Sequence, residues 1–572
     1  MSINAPAAPQ TRPDQASSGG SGRKIRIAPV TRVSGGLELH ASADFGARTV
    51  SEAALTATTF RGYENLLEGR DGRDAVFISS RACGVCGGAH ALASALAMDM
   101  ACSVKPPPTG VVARNFLGAM ECLYDYPSHL FLRAGPDYAA PVVSRTSPAL
   151  WASAEVTPAR GADIHGFSNI SDVMTAMSPF TGALYREGIA MSRMAREAYV
   201  LVGGKFPHPQ TVTPGGVSST VDPSDFSLAL LRVVKFFDYC RRTVAIWDDL
   251  TDFFYNADSR YAHVGTGPKN FLDLGMWDDP FAFDGTYENA TYWGEQRWAT
   301  PGAIVEGALQ TTDLRVIDAG VEEFVGRSFY EGWGQGAFSH DMGGNPLSSN
   351  HPSNKKTIPQ PGTANPNGKY SWSTAARWNG HPMETGAPAR MWTTAMGRMQ
   401  PHTSFIQATG HGISMTVPQG MMASSEHEWQ IPNLWNAFER NRTRAYAMMH
   451  TSLVAYENIV IGLDLRRKGG PDARIFEPYK IPKDHVVGAG YWGGGRGYVS
   501  HHVELDARVI QNYQIVGPST FSGSPRDDRG TPGPAEAAVM ATTLVSPDPG
   551  ESAVDLLRAV RSFDLCMYCA AQ

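Results

Sequence analysis

Two Cys-x-x-Cys pairs set the first constraint on this chain: Cys83 and Cys86 stand near its beginning, Cys566 and Cys569 almost at its end. On a turn or a first helical turn, thiols at this spacing point to one side, where backbone N–H groups favour thiolates. Four thiolates suit a soft or borderline metal: zinc, iron or nickel. Zinc ribbons separate their pairs by about 15 to 20 residues, whereas here nearly the whole chain intervenes. A shared site would staple an already folded body by its two ends, so the fold must return the C-terminus to residue 83. Independent redox pairs would need a strand-and-helix context that neither flank supplies. A structural zinc is the bland alternative.

The rest of the composition narrows the class. A chain of 572 residues, 42% hydrophobic and 18% charged, is long enough for a large core and too apolar for a disordered protein. Its charge content lies below the roughly 25% of an average soluble domain, which points to surface covered by a partner subunit. A net charge of −6 without a basic block excludes nucleic acid as a partner. Seven cysteines are too few for a disulfide scaffold, and thiol usage leads us to expect a cytoplasmic location. Cys102, Cys122 and Cys240 read as buried structural thiols. Residues 1–22, rich in Pro, Ala, Ser and Gly, read as a flexible tail without a secretory leader. No apolar run reaches the roughly 18 residues of a membrane span, so any membrane association would run through partners.

Along the chain, KIRIAPVTRVSGGLELHASA alternates around Gly35 and Gly36 as a hairpin. The Ala- and Leu-rich stretch after Cys86, and VVARNFLGAMECLYDYPSHLF after the break at Pro106 to Pro108, read as buried helices. Asp222, Pro223 and Asp225 open a long helix, and residues 433–461 form another. Residues 258–430 read as irregular loops and short strands over this scaffold, and ESAVDLLRAVRSF as a short amphipathic helix. The expected architecture is α+β and mainly helical. A long-helix bundle carries small peripheral sheets and long irregular loops, with residues 23–572 as one domain.

Arg81-Ala-Cys83-Gly-Val-Cys86-Gly-Gly-Ala-His90, with Asp564-Leu-Cys566-Met-Tyr-Cys569, resembles the paired cysteine signatures of the nickel-iron hydrogenase large subunit. Further matches follow in order: Pro29-Val-Thr-Arg32, Phe60-Arg-Gly-Tyr-Glu64, Gly203-Gly-Lys-Phe-Pro-His208-Pro-Gln, Tyr370-Ser-Trp, Gly386-Ala-Pro-Ala-Arg-Met391, Arg496-Gly, and Asn512-Tyr-Gln through Ser524-Pro-Arg-Asp527. The altered signatures are similar to those of the actinobacterial-type, oxygen-tolerant uptake branch.

The resemblance implies a catalytic subunit that splits H2 heterolytically at a nickel-iron centre carrying carbon monoxide and two cyanides. Cys83 and Cys566 would be terminal nickel ligands, and Cys86 and Cys569 bridges to iron. Arg496 would overhang the open position with Asp125 and Asp564 fixing it, Ser519 would donate to a cyanide, and His90 would orient a thiolate. Cys566 is the first candidate for the base that receives the proton, ahead of Arg496. Glu64, the backbone carbonyl of Ile515 and the terminal Gln572 match a divalent cation site, usually magnesium. Electrons would leave through an iron-sulfur small subunit, in a dimer of heterodimers or a larger assembly. Maturation proteins, a C-terminal endopeptidase among them, also belong to this expectation. Residue 572 falls where the family's C-terminal extension is cleaved, so the chain is either processed or made without one.

Departures carry their own expectations. Ser34 stands where the family has a glutamate often assigned as proton relay, and a hydroxyl cannot hold a proton at neutral pH. Ser34 would pass protons through an ordered water, or another carboxylate such as Glu64 would take over. Gly495 and Leu565 replace prolines, and Gln572 a histidine. Bland readings stand beside the functional ones: Arg496 and Asp527 as surface charges, and Glu64 as helix-surface charge. Asp125 sits in an apolar helix, where an unpaired carboxylate is costly, so it requires a partner on either reading. The alternatives for the whole chain are a scaffold-type subunit sharing the fold without catalysis, and a zinc-stabilised assembly protein.

Overall fold

The architecture comes from a computed structural model, and the structure describes residues 22–32, 34–332, 338–401 and 403–571. Gln572 and the expected tail, apart from Gly22, lie outside the described residues. The folded part opens with an antiparallel sheet of β1 (Arg23–Ile27), β2 (Leu37–Asp44) and β3 (Thr49–Ala57), in that spatial order. The expected hairpin is its first pair, with Ile27 opposite Leu39. Every second residue of β2 is buried, as a strand with one face on a core requires.

The helix after Cys86, α1 (Gly87–Ala101), has every residue but Met100 buried, which places it inside a large core and not on its surface. Next comes α2 (Pro108–Pro127), followed by a π-type turn over Ser128–Arg133. Then come α3 (Ala183–Gly203), α4 (Pro223–Ala257) and α5 (Ala437–Lys468). The Asp222/Asp225 capping box of α4 forms as expected. Helix α5 begins later than residue 433 because the Asn436 side chain accepts the amides of Phe438 and Glu439, each at 3.0 Å. It runs past 461 with Arg466, Arg467 and Lys468 in its last turn, and ends at Gly469. Helices α2 to α5 form the expected bundle around Leu117, Tyr199, Phe237, Trp247 and Met448.

Three elements were not anticipated. Helix α3 buries Leu184, Met191, Ala195, Tyr199 and Val202 along one face. A helix over Ala387–Gly397 interrupts the loop-rich region. The sheet β4 (Val486–Gly494), β5 (Gly497–Asp506) and β6 (Val509–Val516) lies in a glycine-rich stretch outside every expected element. Its glycines are explained by α1: a Cβ on Gly490 would stand 1.8 Å from the Ala93 carbonyl oxygen, so only glycine lets helix and sheet approach.

Buried ion pairs consume part of an already small set of charges: Arg114–Asp99, Arg297–Asp278, Arg440–Glu384 and Arg377–Asp527. Asp527 is therefore no surface charge. A second, smaller core joins the chain's two ends. Leu39 and Leu55 of the first sheet pack with Val539, Phe563 and the inner face of α6 (Pro549–Arg561), including Leu556 and Val560. Asp137 bolts this satellite to the bundle, with Arg32 and Arg561 each 2.7 Å from its Oδ1.

Candidate metal centre

The two cores bring the cysteine pairs together. Cys83 follows a 3-10 turn, and Cys86 is the residue that opens α1. On the other side the chain leaves α6 through Asp564 in the left-handed region (φ 57°), which Asp tolerates, and enters the short helix α7 (Met567–Ala570). This end hangs on few bonds: Met567 N–H donates to Ser34 O at 2.8 Å, and Cys566 N–H to Ser519 Oγ at 2.7 Å.

The four sulfurs lie within 4.8 Å of one another, all buried. Cys83 and Cys566 are 3.5 Å apart, Cys86 and Cys569 2.8 Å. Among the described residues no other group of three or more Cys, His, Asp or Glu side chains converges in this way. Hydrogen bonds from Cys569, Cys83 and Cys86, and then the charge of Arg496, hold Cys566 well below the ordinary thiol range. Burial pushes Cys86 and Cys569 up. An all-sulfur, dry donor set fits a soft cation and no hard one.

Arg496 sits at the turn between β4 and β5. Gly497 has φ 110°, and a Cβ there would stand 2.2 Å from the Gly386 amide nitrogen. The buried guanidinium is braced by Asp125 Oδ1 (3.2 Å) and Asp564 Oδ2 (3.3 Å), and its Nη2 reaches Ser34 Oγ at 3.5 Å. Its Nη1 is buried with no hydrogen-bond partner among the described residues, a spare donor beside the sulfurs. Neither Arg496 nor Asp125 is a surface charge, and Asp125 has the partner its burial demands. Sequence reasoning missed Arg133, which the π-type turn folds back onto both carboxylates at 2.7 and 3.1 Å. It also missed His129, 3.2 Å from Asp564. Although burial pushes Asp564 up, Arg133 and Arg496 hold it well below the usual carboxylate range.

Ser519, having accepted the Cys566 amide, keeps its O–H unspent. Ser34 borders a cavity of about 20 Å³ with Arg32, His129, Arg133 and Asp564, room for one water. His90 Nε2 lies 3.4 Å from Cys569 Sγ, and its Nδ1 lies 3.0 Å from His501 Nε2. Burial pushes His90 down to about 4, so the ring is neutral. Glu121, also missed, accepts the Ala89 amide at the head of α1 (3.2 and 3.1 Å to its two oxygens).

Behind the centre, Glu64 is 3% exposed and so is no helix-surface charge. Its Oε1 accepts the Ile515 amide at 2.9 Å and lies 3.3 Å from Lys355 Nζ; its Oε2 accepts from Thr357. Glu323 meets the same ammonium at 3.2 Å. Lys355 and Glu323 carry no motif that a single sequence reveals.

The profile of the nickel-dependent hydrogenases matches residues 61–159 and 178–572, and the chain belongs to that family. Its fold superposes with a TM-score of 0.91 on an actinobacterial-type NiFe-hydrogenase from Ralstonia eutropha H16, at 36% identity over 96% of this chain and 100% of that one. For the NiFeSe hydrogenase of Desulfomicrobium baculatum the values are 0.74 and 25%, with the same coverage. The periplasmic NiFeSe hydrogenase large subunit of that organism is 28% identical over 559 residues, 96% of this chain and 94% of the relative. An uptake hydrogenase large subunit of Bradyrhizobium diazoefficiens is 26% identical over 604 residues, 96% and 95% of the two chains. The chain is thus the catalytic large subunit of a hydrogenase, an oxidoreductase of a nickel-dependent family, and its four-cysteine cluster is compatible with nickel binding. Family membership and retention of all four cysteines set aside the scaffold and zinc alternatives. No helix among the described residues is long and apolar enough to cross a membrane.

Proposed function

We propose that the chain oxidises H2 at a nickel-iron centre with one carbon monoxide and two cyanide ligands, and passes electrons to an iron-sulfur small subunit. The observation that carries this reading is a set of four buried sulfurs within 4.8 Å beside a guanidinium with an unspent donor. When bound, the metal pair supplies the electron-accepting site at which the H–H bond is polarised.

The chain's own residues do the rest. Cys83, Cys86, Cys566 and Cys569 would hold the metal pair through their four thiolates. Cys566 Sγ would receive the proton in preference to Arg496, whose guanidinium hardly deprotonates. Asp125 and Asp564 orient Arg496 over the open position, and the Ser519 O–H serves a cyanide nitrogen. The Ser34 hydroxyl hands the proton to a water in the adjoining cavity. Glu64, the Ile515 carbonyl and Gln572 hold a divalent cation, magnesium by preference, beside Lys355.

Partners follow from chemistry. Among the described residues Cys102, Cys122 and Cys240 do not converge on a second group, which supports an electron relay on another chain, in a dimer of heterodimers or larger. Relatives named as uptake enzymes support the direction of H2 oxidation. A cytoplasmic location, maturation proteins and a C-terminal endopeptidase complete the proposal. Residues 23–572 act as one domain.

Anaerobic metal analysis with infrared spectroscopy tests the core of it. Nickel and iron in equal amounts, with carbon monoxide and cyanide bands, are expected; zinc alone would overturn it. If Ser34→Ala left hydrogen turnover and isotope exchange unchanged, Ser34 would drop out of the proton route.

A further inference from the structure

Beyond His90, a chain of polar side chains runs from the Cys569 sulfur into the core and back to α1. His90 Nδ1 meets His501 Nε2 of β5 at 3.0 Å, and His501 Nδ1 meets the Tyr513 hydroxyl of β6 at 2.7 Å. That hydroxyl lies 2.7 Å from Ser94 Oγ. Ser94 lies one turn after His90 on the same face of α1, so the path leaves the helix, crosses two strands and returns. His90, His501 and Ser94 are 0% exposed and Tyr513 1%, so no solvent replaces a missing partner. Ser79 is a second hydroxyl at the Tyr513 oxygen.

Each group in this path both donates and accepts, so the path has two polarities. With Tyr513 donating to Ser94, His501 donates to Tyr513, His90 to His501, and a bare Nε2 faces sulfur. With Ser94 donating to Tyr513, Tyr513 donates to His501 and His501 to His90, and His90 presents Nε2–H to sulfur. A metal-bound thiolate only accepts, and it selects the second polarity. Each ring nitrogen of His90 has one partner on this path, and so has each of His501, so the tautomers of the two rings set its polarity.

We propose that His501, Tyr513 and Ser94 are positioning residues that act through His90 on Cys569. They lock His90 in the tautomer whose Nε2–H points at the bridging sulfur, and so set how much electron density that sulfur gives the metals. This rests on the reading of the centre given above.

The experiment uses the purified holoenzyme and infrared bands as the readout. Tyr513→Phe removes the donor to His501. The sulfur then loses part of its hydrogen bond, the metals become more electron-rich, and the carbon monoxide and cyanide bands move together to lower wavenumber at unchanged nickel and iron content. In a His90→Gln background, Tyr513→Phe moves nothing further, because the route to sulfur is already cut. A mere cross-brace between α1 and the sheet would lower thermal stability and leave the bands in place. Should Tyr513→Phe fail to load metal, the pair Ser79→Ala and Ser94→Ala, which leaves every ring present, carries the same test. Bands coincident with wild type, or an equal shift in the His90→Gln background, overturn the proposal. A wild-type enzyme without such bands overturns the reading on which it rests.

Discussion

Cys83 and Cys86 stand at the head of α1, a helix buried on every side in the main core. Cys566 caps and Cys569 lies on a four-residue helix that packs through Met567 and Ala570 on the satellite core and is tied by hydrogen bonds to Ser34, Ser519 and, at 3.4 Å, Thr520. The same donor atoms are thus mounted on supports of very different stiffness. The first wall is preformed by packing that needs no metal. The second is fastened by few groups, and metal bound between them adds its binding energy to that fastening. A centre loaded from outside would meet a fixed pair first and be closed by the more weakly fastened one.

The largest effects break either wall. Cys86→Ala and Cys566→Ala should both abolish hydrogen oxidation and nickel retention, measured by assay and elemental analysis. They should differ in the metal-free state: Cys86 is the residue that opens α1, whereas Cys566 lies on the C-terminal segment, so hydrogen exchange along α1 should rise more for Cys86→Ala. Next comes the arginine that both walls share. Arg496→Lys keeps the charge but loses the fork that spans Asp125 and Asp564, and turnover should fall by about 10- to 100-fold, with metal content retained.

A packing substitution sharpens the comparison without touching the chemistry. Leu556 is 0% exposed and lies on α6 in the satellite core; Leu117 is 0% exposed in the bundle. Each change to Ala should cost about 2–5 kcal/mol. Leu556→Ala should raise hydrogen exchange over residues 549–571 while α1 stays protected. Leu117→Ala should lower the global transition temperature and raise exchange in both. Equal, global effects from the two would show that the satellite is not a separate cooperative unit.

What was legible in the sequence follows the same division. The cysteine pairs, α1, α2 and the caps of α4 were readable because apolar spacing and capping residues are local signals. The roles of Arg496, Asp125 and Asp564 came from motif order, and geometry brings them together. Arg133 was not readable, because it reaches Asp125 only through a π-type turn that no propensity marks. The sheet β4–β6 was not readable either. Its glycines exist for close contact with α1, a tertiary demand that overrides strand composition. His501 and Tyr513 were lost with it, since a histidine and a tyrosine matter here only through which strands lie side by side.

A pH series distinguishes the walls, with opposite signs. Asp137 bolts the satellite side. Burial pushes its carboxyl up, yet Arg32 and Arg561 hold it below the ordinary 3.8. Its contribution is therefore present above about that value and is lost as pH falls through the lower folded value. Glu121 caps the α1 side. Burial and then the charge of Asp125 push it from 4.5 up to about 8 against the amides of Ala89 and Gly88. The folded chain holds that proton more tightly than the unfolded chain, so stability declines as pH rises from 4.5 towards 8, by at most about 1.4 kcal/mol per unit. Thermal unfolding followed from below pH 3.8 up to about 8 should show Glu121→Gln flattening the alkaline decline and leaving the acid limb alone. Asp137→Asn should do the reverse: it removes the acid-side loss and lowers stability near neutrality. If both variants changed the same limb, the two walls would not be fastened by independent charges, and their difference would reduce to packing alone.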